Sequence, residues 1–307
     1  MSNSIPQVSV IIPTYNRPML LKLAIKSVLK QTFQDFEILV IDDGLENRAD
    51  KIISQFSDNR IIYVQNKKNS GASASRNIGI NRARGEFITF LDDDDEFYPK
   101  KIEKQYEIMK KFDKQIDFTF CLADIYSQKN GKLIYTHKYN FQEGLKTFFE
   151  EALSLKLSMI TPTVFCKREK ALEIGNFDES LSCAEDKDFF IRLSKNSCGF
   201  FMKKVLVRVN SCVQKESHLS GNMKFRISGR ELLLNKHITD LIIRPKILEK
   251  HIFILALLNQ EDKNFKKSNK LLFRGWKLNK KDIRFPKQIL KNLYLSLLES
   301  TFNKKSN

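Results

Sequence analysis

The first 125 or so residues alternate short apolar segments with longer segments of helical periodicity, and this alternation limits the possible folds more than any other feature. β-Branched and aromatic residues dominate the short segments, whereas the longer ones repeat apolar residues every three to four positions. This alternation favours an α/β fold, with βαβ units around a mostly parallel sheet. The predicted strands are residues 8–12, 36–41, 60–64, 87–91 and 117–125, and the predicted helices are residues 19–29, 49–56, 72–84 and 99–111.

Clusters of polar residues follow three of these strands, at the point where each strand ends. Residues 13–17 follow the first strand, residues 42–44 the second and residues 92–95 the fourth. The carboxyl ends of parallel strands meet along one edge of a sheet, where open α/β sheets bind their ligands. We therefore expect the three clusters to form one shared site.

Four consecutive aspartates, Asp92 to Asp95, make up the third cluster. Carboxylates this close repel one another unless a cation or protons neutralise them, and their hard oxygens favour Mg²⁺ or Mn²⁺ over softer metals. The chain has no P-loop and no dinucleotide glycine motif, so a metal held by Asp92 and Asp94 would instead neutralise a diphosphate. A solvated acidic turn is the alternative, because acidic turns are common.

Beyond residue 126 the pattern is less regular, and residues 127–163 show no readable periodicity. Short strands are predicted at residues 160–166 and 205–209, with a turn at residues 175–178 and a helix around residues 189–193. From about residue 223 the pattern is helical and basic, broken at Pro245 and Pro286. The predicted organisation is one domain over residues 1–222, followed by a basic helical region over residues 223–307.

The chain carries a formal net charge of +17, and its basic residues concentrate near the C-terminus. Residues 241–307 contain 16 Lys or Arg against five Asp or Glu. This excess indicates an anionic partner surface. A nucleic-acid-binding protein is one alternative, but no zinc finger, RNP1-like motif or aromatic-interleaved basic strand accompanies the charge. No nucleic-acid partner is therefore predicted.

Within the basic region, residues 288–302 place a row of apolar side chains on one helical face, flanked by Lys287, Lys291 and Asn292. Such a basic amphipathic helix can lie on an anionic membrane surface. The alternative is that the apolar face packs on the main domain while the lysines are solvated. The row consists of Ile289, Leu290, Leu293, Leu297 and Leu298.

Several features indicate a cytoplasmic protein, peripheral at the inner face of the cell membrane. Residues 1–7 lack the apolar core of a signal peptide, and no apolar run approaches the roughly 20 residues of a transmembrane helix. The cysteine count is odd and no pair has CxxC spacing, so buried, reduced thiols are expected. The cysteines are Cys121, Cys166, Cys183, Cys198 and Cys212.

In their order along the chain, the motifs resemble those of the family 2 glycosyltransferases, over roughly residues 7–215. The resemblance implies a GT-A fold, which is a Rossmann-like, mostly parallel sheet flanked by helices, here with a C-terminal helical appendage. It also implies a nucleotide-binding half over about residues 1–126 and an acceptor half over about residues 127–222. The matching segments are residues 10–16, 31–33, 41–44, 71–77, 85–88, 91–95, 175–178 and 185–186.

The resemblance further implies roles in binding the donor nucleotide. Pro13, Tyr15 and Asp43 would contact the uracil end of the nucleotide. Arg76 would lie near the donor phosphates or the base, and Asp93 would belong to the same nucleotide site.

The metal-binding DxD motif of the family falls on Asp92 and Asp94, with Mn²⁺ or Mg²⁺ as the implied ion. Relatives often place a histidine after the strand predicted at residues 205–209, where it helps to bind the metal. This chain has Asn210 at that place and His218 further on, so the third metal ligand stays open.

The catalytic base position falls on Asp186, with Glu185 as the alternate. The implied reaction is one displacement, in which the metal offsets charge on the departing diphosphate and the base deprotonates the acceptor hydroxyl. The expected activity is an inverting, metal-dependent hexosyl transfer from a nucleotide donor, with UDP as the expected nucleotide. The acceptor would be a saccharide or a lipid-linked molecule, in surface polysaccharide or glycoconjugate biosynthesis.

Two further alternatives remain at this stage. A sugar-phosphate nucleotidylyltransferase also combines a parallel sheet with a metal, although its glycine-rich N-terminal signature is missing here. A catalytically inactive binding module would keep the fold, although the complete set of acidic motifs argues against it. No motif predicts the sugar, the acceptor or the linkage position.

Overall fold

The computed structural model describes residues 5–46, 48–157, 159–211 and 222–305. The chain forms two compact units. The larger comprises Met1–Ser180 and Glu185–Val213, and the smaller comprises Leu181–Ala184 and Gln214–Asn307. Over its described part the larger unit is an α/β structure, whereas the smaller unit is helical.

The first half of the larger unit confirms the predicted alternation of strands and helices. Its elements are β1 (Val8–Thr14), α1 (Pro18–Leu29), β2 (Phe36–Asp42), α2 (Asp50–Ile53), β3 (Ile61–Gln65), α3 (Gly71–Arg82) and β4 (Phe87–Phe90). The strands pair in parallel in the order β3-β2-β1-β4, with Val8 of β1 opposite both Phe36 and Phe87. Only α2 is clearly shorter than predicted.

The second half of the larger unit extends the same sheet in the order β4-β9-β6-β10-β5, with β7 on β6 and β8 on β10. β9 runs antiparallel to both β4 and β6, so the sheet is parallel over its first four strands and mixed beyond them. The elements are β5 (Glu96–Phe97), α4 (Lys101–Lys111), β6 (Phe118–Ser127), β7 (Leu133–His137), β8 (Gly144–Lys146), α5 (Phe149–Leu153), β9 (Val164–Lys167), α6 (Arg168–Glu173), α7 (Glu185–Lys195) and β10 (Gly199–Ser211).

The elements that the sequence pattern did not predict lie mainly between β6 and β9. β7 carries three consecutive apolar residues, all about half exposed, so it lacks the alternation by which a strand is recognised (Leu133, Ile134 and Tyr135). β8 has only three residues. The strand predicted at residues 160–166 begins only at Val164, because Pro162 lies in a 3₁₀ turn over Thr161–Thr163 and has no backbone N–H for a strand ladder.

Two apolar layers cover the two faces of the sheet. In β1, Val10 and Ile12 face the layer that contains α1 and α4, whereas Ile11 faces the layer that contains α3 and α7. Every residue of β1 and β2 is buried. Strands buried on both faces give nearly continuous apolar runs in the sequence, which is why these strands were predictable.

The smaller unit contains five helices over its described residues: α8 (Met223–Lys236), α9 (Ile238–Ile242), α10 (Pro245–Glu261), α11 (Phe265–Leu278) and α12 (Arg284–Lys305). The predicted break at Pro245 coincides with the start of α10, whereas the break predicted at Pro286 is wrong, because Pro286 lies in the first turn of α12, where proline is tolerated. Ile289 packs inward and Asn292 is fully buried, so the predicted apolar face is divided by packing, with Ile289 inside and Leu290 exposed. No helix among the described residues is long and apolar enough to cross a membrane.

Asn77 on α3 holds the turn at residues 175–178. Its side-chain amide donates to the Phe177 carbonyl (2.9 Å) and to Glu179 (2.8 Å), while its side-chain oxygen accepts from the Phe177 N–H (2.9 Å). Phe177 in turn stacks on Phe189 of α7, with ring centroids 4.2 Å apart. This side chain therefore joins two motif segments of the sequence through packing.

Replacing Asn77 with alanine should lower the free energy of unfolding by about 2–4 kcal/mol, because the buried N–H and carbonyl of Phe177 would lose their partners. Chemical denaturation measures the change. Asn81→Ala, on an exposed position of the same helix, is the matched control and should shift stability by less than about 0.5 kcal/mol. Equal effects of the two substitutions would show that the Asn77 side chain does not stabilise the turn at residues 175–178.

Lys101, the first residue of α4, is fully buried in the larger unit. Its ammonium donates to the Thr89 hydroxyl and lies 4.1 Å from the ring centroid of Phe97. Burial lowers the pKa of Lys101 from its usual 10.5 to about 7, because an apolar interior disfavours the charged form. The amine therefore loses its charge near neutral pH in the folded protein.

This lowered pKa predicts a pH-dependent cost of folding. Lys101 does not lower the free energy of unfolding above pH 10.5, where its amine is neutral in both states. Between pH 10.5 and 7 only the unfolded chain takes up the proton, so the free energy of unfolding falls as the pH falls. The full loss of stability is present below pH 7. Lys101→Met should therefore stabilise the protein by about 2–4 kcal/mol at pH 6, and the gain should shrink as the pH rises towards 10. Thermal or chemical denaturation of both proteins across pH 6–10 measures the difference. A gain that is independent of pH would contradict the titration.

Candidate active site

The carboxyl end of β1 borders an opening in the sheet. β4 follows β1 as far as Ile11, whose carbonyl accepts from the Leu91 N–H (3.0 Å), and the chain then leaves the sheet as residues 92–95, the acidic loop. The backbone of Pro13, two residues further along β1, faces the same side. Since proline has no N–H, the departure of β4 leaves no donor unpaired there. Pro13 thus lies buried at the edge of the opening, whereas Tyr15 beyond it is about half exposed.

Asp42 anchors the loop that follows β2. Its buried carboxylate accepts from the Gly44 N–H (2.9 Å), the Ala49 N–H (2.8 Å) and the Tyr63 hydroxyl (2.8 Å). Three donors are enough to stabilise a buried carboxylate. Asp42 is therefore a structural residue.

Asp43, a predicted nucleotide contact, is also largely buried and engaged by the protein. It accepts from the Asn66 side-chain amide (2.7 Å), the Ser70 N–H (2.9 Å) and the Gly71 N–H (2.7 Å). Asp43 thus lies at the N-terminus of α3, where the helix dipole favours a carboxylate. These bonds fix the orientation of the Asp43 carboxylate beside the opening.

The acidic loop is a tight turn in which the Asp95 N–H donates to the Asp92 carbonyl (3.0 Å). The Asp93 side chain is completely buried and Asp95 is 3% exposed, whereas the side chains of Asp92 and Asp94 are 32% and 13% exposed. Burial raises the pKa of Asp93 to about 6 and raises the pKa of Asp95 well above its usual range. The loop therefore has an inner pair of carboxylates, Asp93 and Asp95, and an outer pair, Asp92 and Asp94.

Arg17 bridges the inner and the outer pair. Its guanidinium lies 2.5 Å from Asp93 Oδ1 and 3.1 Å from Asp94 Oδ2, and the Thr14 hydroxyl donates to the other oxygen of Asp93 (2.7 Å). Arg17 was not among the predicted site residues. Its place in the polar cluster after β1 was the available signal, but its carboxylate partners lie more than 70 residues away in sequence.

Arg76, predicted near the donor, contacts a different carboxylate of the acidic loop from those that Arg17 contacts. It donates to Asp92 Oδ1 (2.8 Å), and its Nη1 lies 3.6 Å from Glu185 Oε1. The guanidinium carbon is 5.4 Å from the ring centroid of Phe177. Although the side chain is buried, its Nε and Nη1 make no hydrogen bond to the described residues. Arg76 therefore has unused donor capacity at the site.

Asn210 on β10 binds the acidic loop through its backbone and its side chain. Its backbone N–H donates to Asp95 Oδ1 (2.9 Å), its side-chain amide donates to the Asp94 carbonyl (2.6 Å), and its side-chain oxygen accepts from Arg208 Nε (3.1 Å). Both ends of the Asn210 amide are thus engaged within the protein. The other position considered for a third metal ligand, His218, lies outside the described residues.

Glu185 and Asp186 begin α7, the helix that approaches the site beside Arg76. Burial, followed by the neighbouring charge of Asp186, raises the pKa of Glu185 despite the opposing effect of Arg76. Asp186 is partly exposed, and its Oδ1 accepts from the Lys187 N–H (2.7 Å). Both acidic residues are partly exposed, but they differ in their partners, because Glu185 forms an ion pair with Arg76 and Asp186 accepts from a backbone N–H.

The arrangement brings together nearly all of the predicted residues at one edge of the sheet, as the position of the polar clusters required. Contacts within the protein link Arg76, Asp92 and Glu185, and Arg17 joins Asp93 to Asp94. Among the described residues, no group of three or more His, Cys, Asp or Glu is placed to hold a metal ion. The site is thus rich in both carboxylates and guanidinium groups.

A family model described as Glycosyl transferase family 2 matches residues 9–172. The chain is 38% identical over 229 residues to the uncharacterized glycosyltransferase MJ1057 of Methanocaldococcus jannaschii, and this match covers 72% of this chain and 76% of that protein. It is 33% identical over 195 residues to the putative colanic acid biosynthesis glycosyl transferase WcaA of Escherichia coli K12, covering 61% and 66% of the two chains.

Two solved structures of S. aureus TarS 1–349 share the fold. The complex with UDP-GlcNAc superposes with a TM-score of 0.69 at 18% sequence identity, covering 89% of this chain and 81% of TarS. The complex with UDP gives a TM-score of 0.66 at 19% identity, covering 87% and 80%. The predicted GT-A fold is thereby confirmed, and the match over residues 9–172 shows that the chain belongs to glycosyl transferase family 2.

Proposed function

We propose that this glycosyltransferase moves a hexose from a UDP-sugar to a hydroxyl group of a saccharide or lipid-linked acceptor, with a divalent ion at the acidic loop and inversion at the anomeric carbon. The observation that carries the proposal is the outer pair, in which Asp92 and Asp94 expose carboxylate oxygen at the carboxyl end of β4 between Arg17 and Arg76. Structures of TarS with UDP and with UDP-GlcNAc support the choice of nucleotide.

The donor base would lie beside the ends of β1 and β2. Tyr15 is exposed there and offers an aromatic surface, while Pro13 forms the edge of the opening. Asp43 is held rigidly by the N-terminus of α3, so its carboxylate would accept a base N–H without reorganising. Asp93 would support this nucleotide site from the interior of the acidic loop.

Asp92 and Asp94 fit a Mg²⁺ or Mn²⁺ ion, since such ions are typically held by one or two carboxylates together with substrate phosphates and water. When bound, the ion would act as a Lewis acid towards the departing diphosphate. Arg17 and Arg76 would place two further positive charges on either side of the same phosphates, because each already contacts one of the outer carboxylates.

Asp186 is the proposed general base. It is partly exposed at the start of α7, whereas Glu185 is engaged with Arg76 and would keep that guanidinium in position. Proton removal from the acceptor hydroxyl on the face opposite the diphosphate would give a single displacement. An α-linked donor would then yield a β-linked product.

The acceptor would come from glycan biosynthesis at the cytoplasmic side of the cell. The description of WcaA, a relative linked to colanic acid, supports a surface polysaccharide or glycoconjugate. Within the larger unit, the segment between β6 and β9 is the proposed source of acceptor contacts.

The metal role predicts that UDP binding depends on Mn²⁺. Asp94→Asn should weaken Mn²⁺-dependent binding of UDP by more than about 10–100-fold, which is the loss typical of a residue that only orients a metal ligand, and should nearly abolish transfer. Calorimetry of UDP with and without Mn²⁺ measures the effect. Asp35→Asn, an exposed aspartate before β2, is the control and should behave as the unaltered chain. Equal UDP affinity of the unaltered chain with Mn²⁺ and with EDTA would rule out the metal role.

The base assignment predicts a separation between binding and rate. Asp186→Asn should leave UDP-sugar affinity within a few-fold while lowering kcat by about 10²–10⁴, the usual contribution of a general base. Glu185→Gln should mainly weaken donor binding, since it frees Arg76 from its ion pair. Initial rates and donor titrations of both variants test this. If kcat falls in the Glu185 variant and is unchanged in the Asp186 variant, Glu185 is the general base and the assignment of Asp186 is wrong.

A further inference from the structure

The outward face of α12 is apolar. Phe285 and Asn292 point inward and are fully buried, so the opposite side of the helix faces away from its neighbours. That side carries four large apolar residues at i, i+3, i+4 and i+7 spacing, which together form the apolar stripe. These are Leu290, Leu293, Tyr294 and Leu297, with exposed fractions of 66, 50, 62 and 66%. A contiguous exposed apolar row on a soluble protein usually marks an interaction site.

The outward face of α11 is basic. Ser268, Leu272 and Gly275 are the buried residues of this helix. The opposite side forms the basic face, with Phe273 in the middle and the ammonium of Lys277 4.9 Å from its ring centroid. The exposed residues of this face are Lys266, Lys270, Phe273, Arg274 and Lys277.

The two helices are locked together. The Asn292 amide of α12 donates to Ser268 Oγ and to Asn269 Oδ1 of α11, both at 2.8 Å. Gly275 lies so close to Phe285 that a Cβ atom at position 275 would fall 2.2 Å from the ring. The two helices that carry the apolar stripe and the basic face therefore form one rigid pair.

The charged residues of these two helices have a single sign over the stretches that carry the apolar stripe and the basic face. Residues 265–278 and 284–298 contain no Asp or Glu, and Lys287 and Lys291 flank the apolar stripe. A second copy of the chain would cover the leucines but would bring lysines against lysines. A nucleic acid would neutralise the lysines but would leave the leucines in water. An anionic bilayer satisfies both, because its phosphates lie directly above its acyl chains.

We propose that the apolar stripe and the basic face form a docking surface for an anionic lipid bilayer. The leucines and Tyr294 would enter the boundary between headgroups and acyl chains, and the lysines would reach the lipid phosphates. The surface lies entirely within the smaller unit, and its argument does not depend on the donor, the metal or the base proposed for the larger unit.

Vesicle co-sedimentation of the full chain tests the proposal. The chain should bind vesicles of phosphatidylcholine with 30% phosphatidylglycerol at low salt, should be released at high salt, and should ignore pure phosphatidylcholine. Lys270→Gln with Lys277→Gln should weaken binding roughly 25-fold, from about fivefold per basic residue near an anionic surface. Leu293→Gln with Leu297→Gln should abolish binding at all salt concentrations tested.

Two control variants match these changes elsewhere on the chain. Lys30→Gln with Lys51→Gln removes the same charge from exposed positions of the larger unit, and Leu232→Gln replaces an exposed leucine on α8. Both should bind vesicles as the unaltered chain does. All substituted side chains are exposed, so thermal unfolding should confirm that every variant is folded.

Several outcomes would overturn the proposal. Equal binding to neutral and anionic vesicles, or binding to neither, would exclude an anionic bilayer as the partner. Light scattering that shows a dimer lost only in the leucine variant would assign the apolar stripe to self-association. Salt-sensitive binding of a single-stranded oligonucleotide that the lysine variant loses, with no vesicle binding, would assign the basic face to nucleic acid.

Discussion

The mutual repulsion of four adjacent carboxylates is the constraint around which the site is built. Residues from three segments far apart in sequence offset this repulsion by contacting the carboxylates. Arg17 follows β1, Arg76 lies on α3 and Asn210 lies on β10. Each contacts a different part of the acidic loop, so the inner carboxylates are stabilised and the outer ones remain partly exposed. The relative positions of β1, α3 and β10 are thus tied to a turn of four residues.

Several residues of the motif segments stabilise the fold and take no direct part in the proposed chemistry. Asp42 closes the loop after β2, and Asn77 clamps a turn that lies 100 residues further along the chain. Asp43 combines both kinds of role in the proposed function, because the bonds that cap α3 also fix the direction of its carboxylate. A motif match therefore indicates a shared scaffold as much as a shared substrate.

Much of the fold and the location of the site followed from the sequence, for identifiable physical reasons. β1, β2 and β4 are buried on both faces, so their apolar runs are nearly continuous, and the polar clusters that end them mark one edge of the sheet. The ion-pair and hydrogen-bond partners of individual charged residues could not be predicted from the sequence. Which strands become neighbours decides that Arg17 pairs with Asp93 and that Asn210 contacts the acidic loop. The strand order is not predictable locally, because no sequence pattern indicates that β9 lies between β4 and β6. In α12, helical periodicity marked an apolar face, but only packing distinguished Ile289 from Leu290.

The position of β9 has a consequence for how the chain tolerates change. β6 and β9 are antiparallel neighbours in the sheet, with Phe120 opposite Val164. The segment between them contains β7 and β8, which pair with β6 and β10, and the chain then returns to the sheet beside β6. Insertions or deletions in the turns that connect β7, β8 and α5 would leave the register of β6 and β9 intact, and doubling a flexible loop costs only about 0.6 kcal/mol in closure entropy. One scaffold can therefore carry excursions of very different length and composition, while the acidic loop beside β4 keeps its position.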